Sequence, residues 1–288
     1  MISINLVMLL FIFILGIIIG SFVNVVGLRY NSGLSSAKGR SKCFSCSIAL
    51  KWYDLIPLVS FFTLRGKCRM CKTPLSFQYP AVELLTGLVF VCLALRQISL
   101  WPLYGAFEYG LLYSILFFVF YAFVFCLLIV IMIYDIRHKI IPNKLVYAFI
   151  GLSFFKLLVY LFCKNFVLTG LDLLDILSPI LLFSPFAFLW YVSGGKWIGF
   201  GDAKLALGMG ALLGFISGIN AIILAFWIGA LWSIYIIFHD RIRSSRKKPI
   251  GLKSEIPFAP FLILATIVVF FTQADFLGIE EFISVLTG

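Results

Sequence analysis

Charge is scarce in this sequence, and negative charge is scarcest. Asp and Glu together number 12 in 288 residues, against 23 Lys and Arg, and histidine occurs only twice. Charged residues make up 12% of the chain and hydrophobic residues 62%, whereas soluble domains run roughly 45–50% apolar and about 25% charged. A soluble globular fold is therefore excluded, and a mean hydropathy of +1.11 points to a polytopic membrane protein. The two histidines, His138 and His239, stand alone and far apart, with no ligand spacing. The chain also lacks a Gly-x-Ser-x-Gly elbow, a His-Glu-x-x-His pair and a histidine near a candidate nucleophilic cysteine, which removes the common serine, zinc and cysteine hydrolytic mechanisms. No dinucleotide-type glycine fingerprint, long internal repeat or low-complexity segment is present.

Long apolar runs are what the chain has in abundance. Runs of about 18 residues or more mark spanning helices, and eight are expected: 4–27, 81–96, 109–134, 145–163, 173–192, 203–217, 219–238 and 257–274. The sixth and seventh form one apolar block, with the break expected near Ser217-Gly218-Ile219-Asn220. The first run has no basic residue ahead of it and is too long for a cleavable signal peptide, so it is expected to remain as a helix. The expected fold class is an all-α polytopic membrane protein of about eight transmembrane helices.

Lys and Arg favour the cytoplasmic side of a membrane. Eight helices divide the loops into two sets, and the set 28–80, 135–144, 193–204 and 239–256 carries 20 of the 23 basic residues. The opposite set carries Arg96 and Lys164 and is richer in acids: Glu108, Asp172, Asp175, Asp275, Glu280 and Glu281. The basic set is expected to be cytoplasmic, with both chain ends outside. The net charge of +11 is accounted for by this topology and by attraction to anionic membrane lipids, so no nucleic-acid partner is implied. The basic run at 239–249 is read as a lipid-facing anchor. Nothing in the sequence specifies an oligomeric state.

One stretch, 28–80, is polar and basic with Gly, Ser and Pro turn signals. Its length is near the limit at which a core alone suffices. It carries Cys43, Cys46, Cys68 and Cys71 as Cys-x2-Cys-x21-Cys-x2-Cys, a spacing that suits two tight knuckles around one tetrahedral zinc. Disulfides are the competing reading, disfavoured by a cytosolic placement where thiols stay reduced. Four protein ligands leave no open position for a reacting water, so the zinc is read as structural. Cys92, Cys126 and Cys163 lie singly in apolar runs and are read as packing residues. The expected organisation is a first transmembrane helix at 1–27, a zinc-stapled module at 28–80 and a multi-helix membrane domain at 81–288.

Two of the 12 acids sit at matching helix boundaries. Asp135 closes the apolar run from Leu111, and Asp202 opens the next-but-two, within Gly199-Phe-Gly-Asp202. Each has a structural alternative: Asp202 as an N-cap, Asp135 as a helical partner of Lys139. As a pair at one membrane depth they suggest more, because ionisable groups there are costly. Two close carboxylates share a proton. One is then a base for water while the other, protonated, polarises a carbonyl, as in aspartic proteases. The rival reading is a proton-coupled transporter with intramembrane aspartates, which would call for deeper acids and internal repeats. A zinc-stapled scaffold without chemistry is the third.

Five segments, in order, resemble the type IV prepilin peptidases. They are "GSFVNVVGLR" (20–29), the four-cysteine region 43–87 with its trailing Glu83, "YDIRHKIIPN" (134–143), "GFGDAKL" (199–205) and "IPFAPFL" (256–262). Gln78 departs from the pattern, where a basic residue is expected before Tyr79-Pro80. The resemblance implies that Asp135 and Asp202 are catalytic, and that the enzyme cuts the short basic leader from prepilins or pseudopilins after a glycine at the cytoplasmic face. It also implies N-methylation of the new N-terminus with S-adenosylmethionine, residence in the bacterial inner membrane, and products that build type IV pili or a type II secretion pseudopilus.

Overall fold

The computed structural model describes residues 6–33, 35, 41–43, 45–104, 109–165, 168–243, 257–276 and 278. Both chain ends, expected outside, and residues 244–256 of the last basic loop lie outside that set. Among the described residues the chain forms nine helices: α1 (Leu6–Arg29), α2 (Val59–Thr63), α3 (Gln78–Tyr104), α4 (Gly110–His138), α5 (Asn143–Cys163), α6 (Gly170–Ser193), α7 (Phe200–Leu213), α8 (Phe215–Arg243) and α9 (Ala259–Thr272). A single 3-10 turn covers Trp52–Leu55, and the described residues contain no β-strand, only two isolated bridges. The protein is an all-α, multi-pass membrane protein.

Every expected apolar run contains a helix, but six rather than eight are long and apolar enough to cross a bilayer: α1, α3, α4, α5, α6 and α8. Helices α7 and α9 have 14 residues each, about 21 Å at 1.5 Å per residue, which is short of a hydrocarbon core of about 30 Å. Both are surrounded by protein instead, with nine and ten of their residues buried.

The chain divides into two compact units, Met1–Ile133 and Tyr134–Gly288, the division falling inside α4. In the first unit α1 lies along α3. Small residues permit the approach: a Cβ on Gly16 would stand 2.8 Å from the Gly87 Cα, and one on Gly20 would stand 2.9 Å from the Glu83 Cα. In the second unit α7 is the centre, packed against α5, α6, α8 and α9. Ser178 of α6 donates its hydroxyl to the Gly210 carbonyl at 2.9 Å, and a Cβ on Gly210 would lie 2.6 Å from the Ser178 carbonyl oxygen.

The break between α7 and α8 falls at Gly214, three residues before the expected Ser217–Asn220. Gly214 adopts φ +86°, which side chains rarely tolerate. Asp175 of α6 then accepts the Phe215 N–H at 2.9 Å, supplying a partner for one of the open donors at the start of α8. Ser217–Asn220 continue inside α8. There Asn220 donates to the Ile216 carbonyl (3.1 Å) and to Asp275 (3.0 Å), and accepts from the Phe276 N–H (3.0 Å).

Candidate active site and metal centre

Asp135 lies in the last turn of α4, where the helix dipole opposes a negative charge. Its compensation comes from α9, whose Ala259 backbone N–H donates to the carboxylate at the positive end of that helix. Asp202 lies in the first turn of α7 and faces the Gly199 backbone N–H. The cap position is Gly199, with no side-chain cap, so Asp202 is not the N-cap. Nor does Asp135 form an ion pair with Lys139, whose backbone N–H instead donates to the Asp135 carbonyl at 2.7 Å. Neither structural alternative accounts for these acids. Both are buried, at 4% and 8% exposure, and the Asp202 carboxylate feels the Coulombic field of Asp135.

The contacts that unite the two segments lie beside the carboxylates. A Cβ on Gly201 would stand 2.9 Å from the Ile141 Cβ, so this glycine is required where α7 starts against the turn after Asp135. Gly199, at φ −73°, needs no glycine-specific backbone. Lys204 Nζ donates to Asn143 Oδ1 at 2.8 Å, and its charge lies over the rings of Tyr147 (4.9 Å) and Phe200 (5.1 Å). Sequence reasoning passed over this Lys204–Asn143 link; its only signal was that both residues lie within two positions of a motif end.

The four cysteines form a second centre. Their sulfurs all lie within 4.8 Å of one another, with Cys43 and Cys71 Sγ at 3.8 Å and no disulfide. Zn–S bonds of about 2.3 Å in a tetrahedron put sulfurs about 3.8 Å apart, so the spacing fits the metal. The two halves repeat one turn. Cys43 N–H donates to Ile48 and Ser47 N–H to Cys43; Cys68 N–H donates to Thr73 and Lys72 N–H to Cys68, all at 2.9–3.1 Å. Ser47 and Lys72 share a left-handed φ, +57° and +58°. Donors point at sulfur. Hydrogen bonding with Thr73, side chain first and backbone second, holds the Cys71 thiol down to about 6. The Cys46 and Ser45 backbone N–H groups lower Cys43. Cys46 is pushed up to about 11 by desolvation and its neighbouring sulfurs, outweighing its bond to Ile48. Four crowded sulfurs with lowered members call for a compensating cation. Cys92, Cys126 and Cys163 take no part in the cluster.

Two family models match the chain. Residues 14–97 match the bacterial peptidase A24 N-terminal domain, and residues 122–234 match the type IV leader peptidase family. The prepilin leader peptidase/N-methyltransferase of Bacillus subtilis is 30% identical over 276 residues, covering 91% of this chain and 94% of that protein. The chain belongs to the type IV prepilin leader peptidase family. The Xanthomonas campestris prepilin leader peptidase/N-methyltransferase is 28% identical over 287 residues, 91% of this chain and 90% of its own. That of Myxococcus xanthus is 50% identical over 80 residues, which is 28% of this chain and 24% of the relative. No solved structure matches the chain.

Proposed function

We propose that this protein removes the basic leader of type IV prepilins or pseudopilins by a two-aspartate mechanism and then methylates the exposed N-terminus. The observation that carries the cleavage reading is the convergence of Asp135 and Asp202, 67 positions apart in sequence, on one buried place in one unit. One carboxylate takes a proton from water as it attacks the scissile carbonyl; the other, protonated, donates to the carbonyl oxygen. The Ala259 and Gly199 N–H groups hold the two carboxylates in orientation. The reading puts the cut, after a glycine, at the cytoplasmic face of the inner membrane, and it is supported by the excess of basic residues in the set of loops to which those flanking Asp135 and Asp202 belong. There the substrate's own apolar helix can stay in the bilayer.

Cys43, Cys46, Cys68 and Cys71 would hold zinc, which when bound supplies folding energy to the module rather than chemistry. The methylation reading rests on the names of the relatives, with S-adenosylmethionine as donor. The test is incubation of the purified protein with a prepilin and the methyl donor, followed by mass spectrometry of the product. A shortened pilin whose new N-terminus carries one added methyl group supports both activities. A shortened, unmethylated product removes the second, and an unchanged prepilin removes the first.

A further inference from the structure

Within the second unit, α6 and α8 carry matching apolar stripes. Leu182, Phe186 and Leu189 recur at four- and three-residue spacing on α6, and Phe215, Ile219, Ile223 and Phe226 do so on α8, so each set shares one helix face. The two stripes line a hollow of about 820 Å³, open space at its mouth included. Every side chain that lines it is apolar, which offers an ion no counter-charge and a polar ligand no partner. Pro185, inside α6, has no N–H for the Leu181 carbonyl one turn back. Ser184 donates its hydroxyl to that carbonyl instead, at 3.2 Å. At the floor, Gly218 lets α8 meet the Leu182 side chain. Leu181 and Phe226 are 39% and 47% exposed, so the hollow is a groove that opens on the surface these two membrane-spanning helices turn to lipid.

One end of the groove reaches the aspartates. The rings of Phe186 and Phe226 lie 6.4 Å and 4.9 Å from that of Phe258. Phe258 immediately precedes Ala259, whose N–H donates to Asp135. On the α6 side, Trp190 follows Leu189 and packs on Phe200 at 4.8 Å, two residues before Asp202. Away from this end, α8 lines the groove from Phe226 back to Phe215, a rise of about 16 Å, or about three helical turns. The groove is thus an apolar track that begins beside the two carboxylates and runs into the depth of the membrane.

We propose that this groove seats the substrate's own apolar helix, the segment that follows the cut, with its first residues against Phe226 and Phe258. The proposal rests on the leader-peptidase reading above. It is a helix-in-groove contact, and it sets the peptide bond just ahead of that helix beside Asp135 and Asp202. An acyl chain would fill the same apolar space but has no segment to deliver to the carboxylates. Because the contact is remote from the reacting bond, its binding energy raises kcat/KM only for substrates long enough to reach it.

Two substrates make the test: a full-length prepilin, and a peptide of the same leader that ends shortly after the cut and lacks the apolar helix. The intact, detergent-solubilised protein should cut the full-length substrate with the higher kcat/KM. Ile223→Trp, which fills the groove from α8, should lower kcat/KM for the full-length prepilin by about tenfold, the scale on which misfit in an apolar pocket counts. Its kcat/KM for the short peptide should not change. An equal loss on both substrates makes Ile223 a packing residue and overturns the site, as does no loss on either or a wild-type protein without preference for the longer one. A second measurement does not depend on the folding of Ile223→Trp. A full-length prepilin with a photoreactive residue in its apolar helix, added to otherwise wild-type protein carrying Asp202→Asn, should cross-link to residues 181–189 or 215–226. Cross-links that map to other helices, or to lipid alone, overturn the site while leaving cleavage by the protein intact. A wild-type protein that cuts neither substrate overturns the leader-peptidase reading and the site together.

Discussion

In Met1–Ile133 the four cysteines stand on two short turns with little core around them: Trp52, Phe62 and Phe77 of the same module are 66–76% exposed. In Tyr134–Gly288 the two aspartates stand on helices, and nine of the 14 residues of α7 are buried. Thin packing in the first region leaves metal–ligand bonds to define the geometry. Dense packing in the second lets glycine contacts do so, at Gly201 against Ile141 and at Gly210 against Ser178. The two centres should therefore fail differently. One should be lost by removing ligands, the other by adding atoms to its glycines or by changing the charge on its acids.

The largest effect is expected at the metal. Cys43→Ser or Cys71→Ser should lower zinc from about one per chain to near none, removing binding worth roughly 10–16 kcal/mol in small zinc modules. Limited proteolysis should then cut within residues 28–80 while α5–α9 stay protected. Metal analysis of the intact protein that finds no zinc, or mapping that finds bridged cysteine pairs, breaks the comparison at its first term. Next comes overpacking in the second unit. Gly210→Val would push a side chain against α6 backbone, which cannot yield as a flexible side chain can, and should cost about 1–3 kcal/mol. Gly201→Val meets the Ile141 side chain instead, so it should cost less stability and more cleavage. Thermal unfolding and prepilin processing of the two variants, measured side by side, separate these outcomes.

Smaller effects sharpen the picture. Lys204→Met removes the bond to Asn143 and the charge over Tyr147 and Phe200, and should cost about 1–2 kcal/mol with a few-fold loss of cleavage. Lys164→Met should do least. The ion pair with Asp172 is 2.5 Å long, but the Lys164 side chain is 40% exposed, and such pairs contribute about 0–1 kcal/mol. Asp172 also keeps the Tyr160 hydroxyl at 2.7 Å and the Thr169 hydroxyl at 2.6 Å. An unfolding shift for Lys164→Met as large as that for Gly210→Val contradicts the ranking.

The cysteine cluster was legible in sequence because Cys-x2-Cys is a local device: one knuckle turn places two sulfurs, and only one long-range approach is needed to join the halves. The positions of Asp135 and Asp202 were legible as charges at helix ends, and their juxtaposition was inferred from a shared membrane side. The contacts that achieve it, Ile141 on Gly201 and Asn143 on Lys204, depend on how α5 meets α7, which no local pattern encodes. The helix break was misplaced for a related reason. Ser217–Asn220 reads as a turn by composition, yet Gly214 is the residue with a partner ready, in Asp175 from another helix. Glu83 was legible as the acid trailing the four-cysteine motif, but its bond to the Leu58 N–H forms only once the module folds.

The claim that Asp135 and Asp202 act as one catalytic pair is tested most directly by prepilin processing with Asp202→Asn, at expression and membrane insertion matched to wild type. Asparagine keeps the shape and the neutral hydrogen bonding but cannot take part in sharing a proton. Cleavage should fall by roughly 10²–10⁴-fold, Asp135→Asn should match it, and the double variant should be little worse than either single, as for residues that work as a unit. Near-normal cleavage by a well-folded Asp202→Asn protein would contradict the account and leave Asp202 as a first-turn acid that serves the α7 dipole.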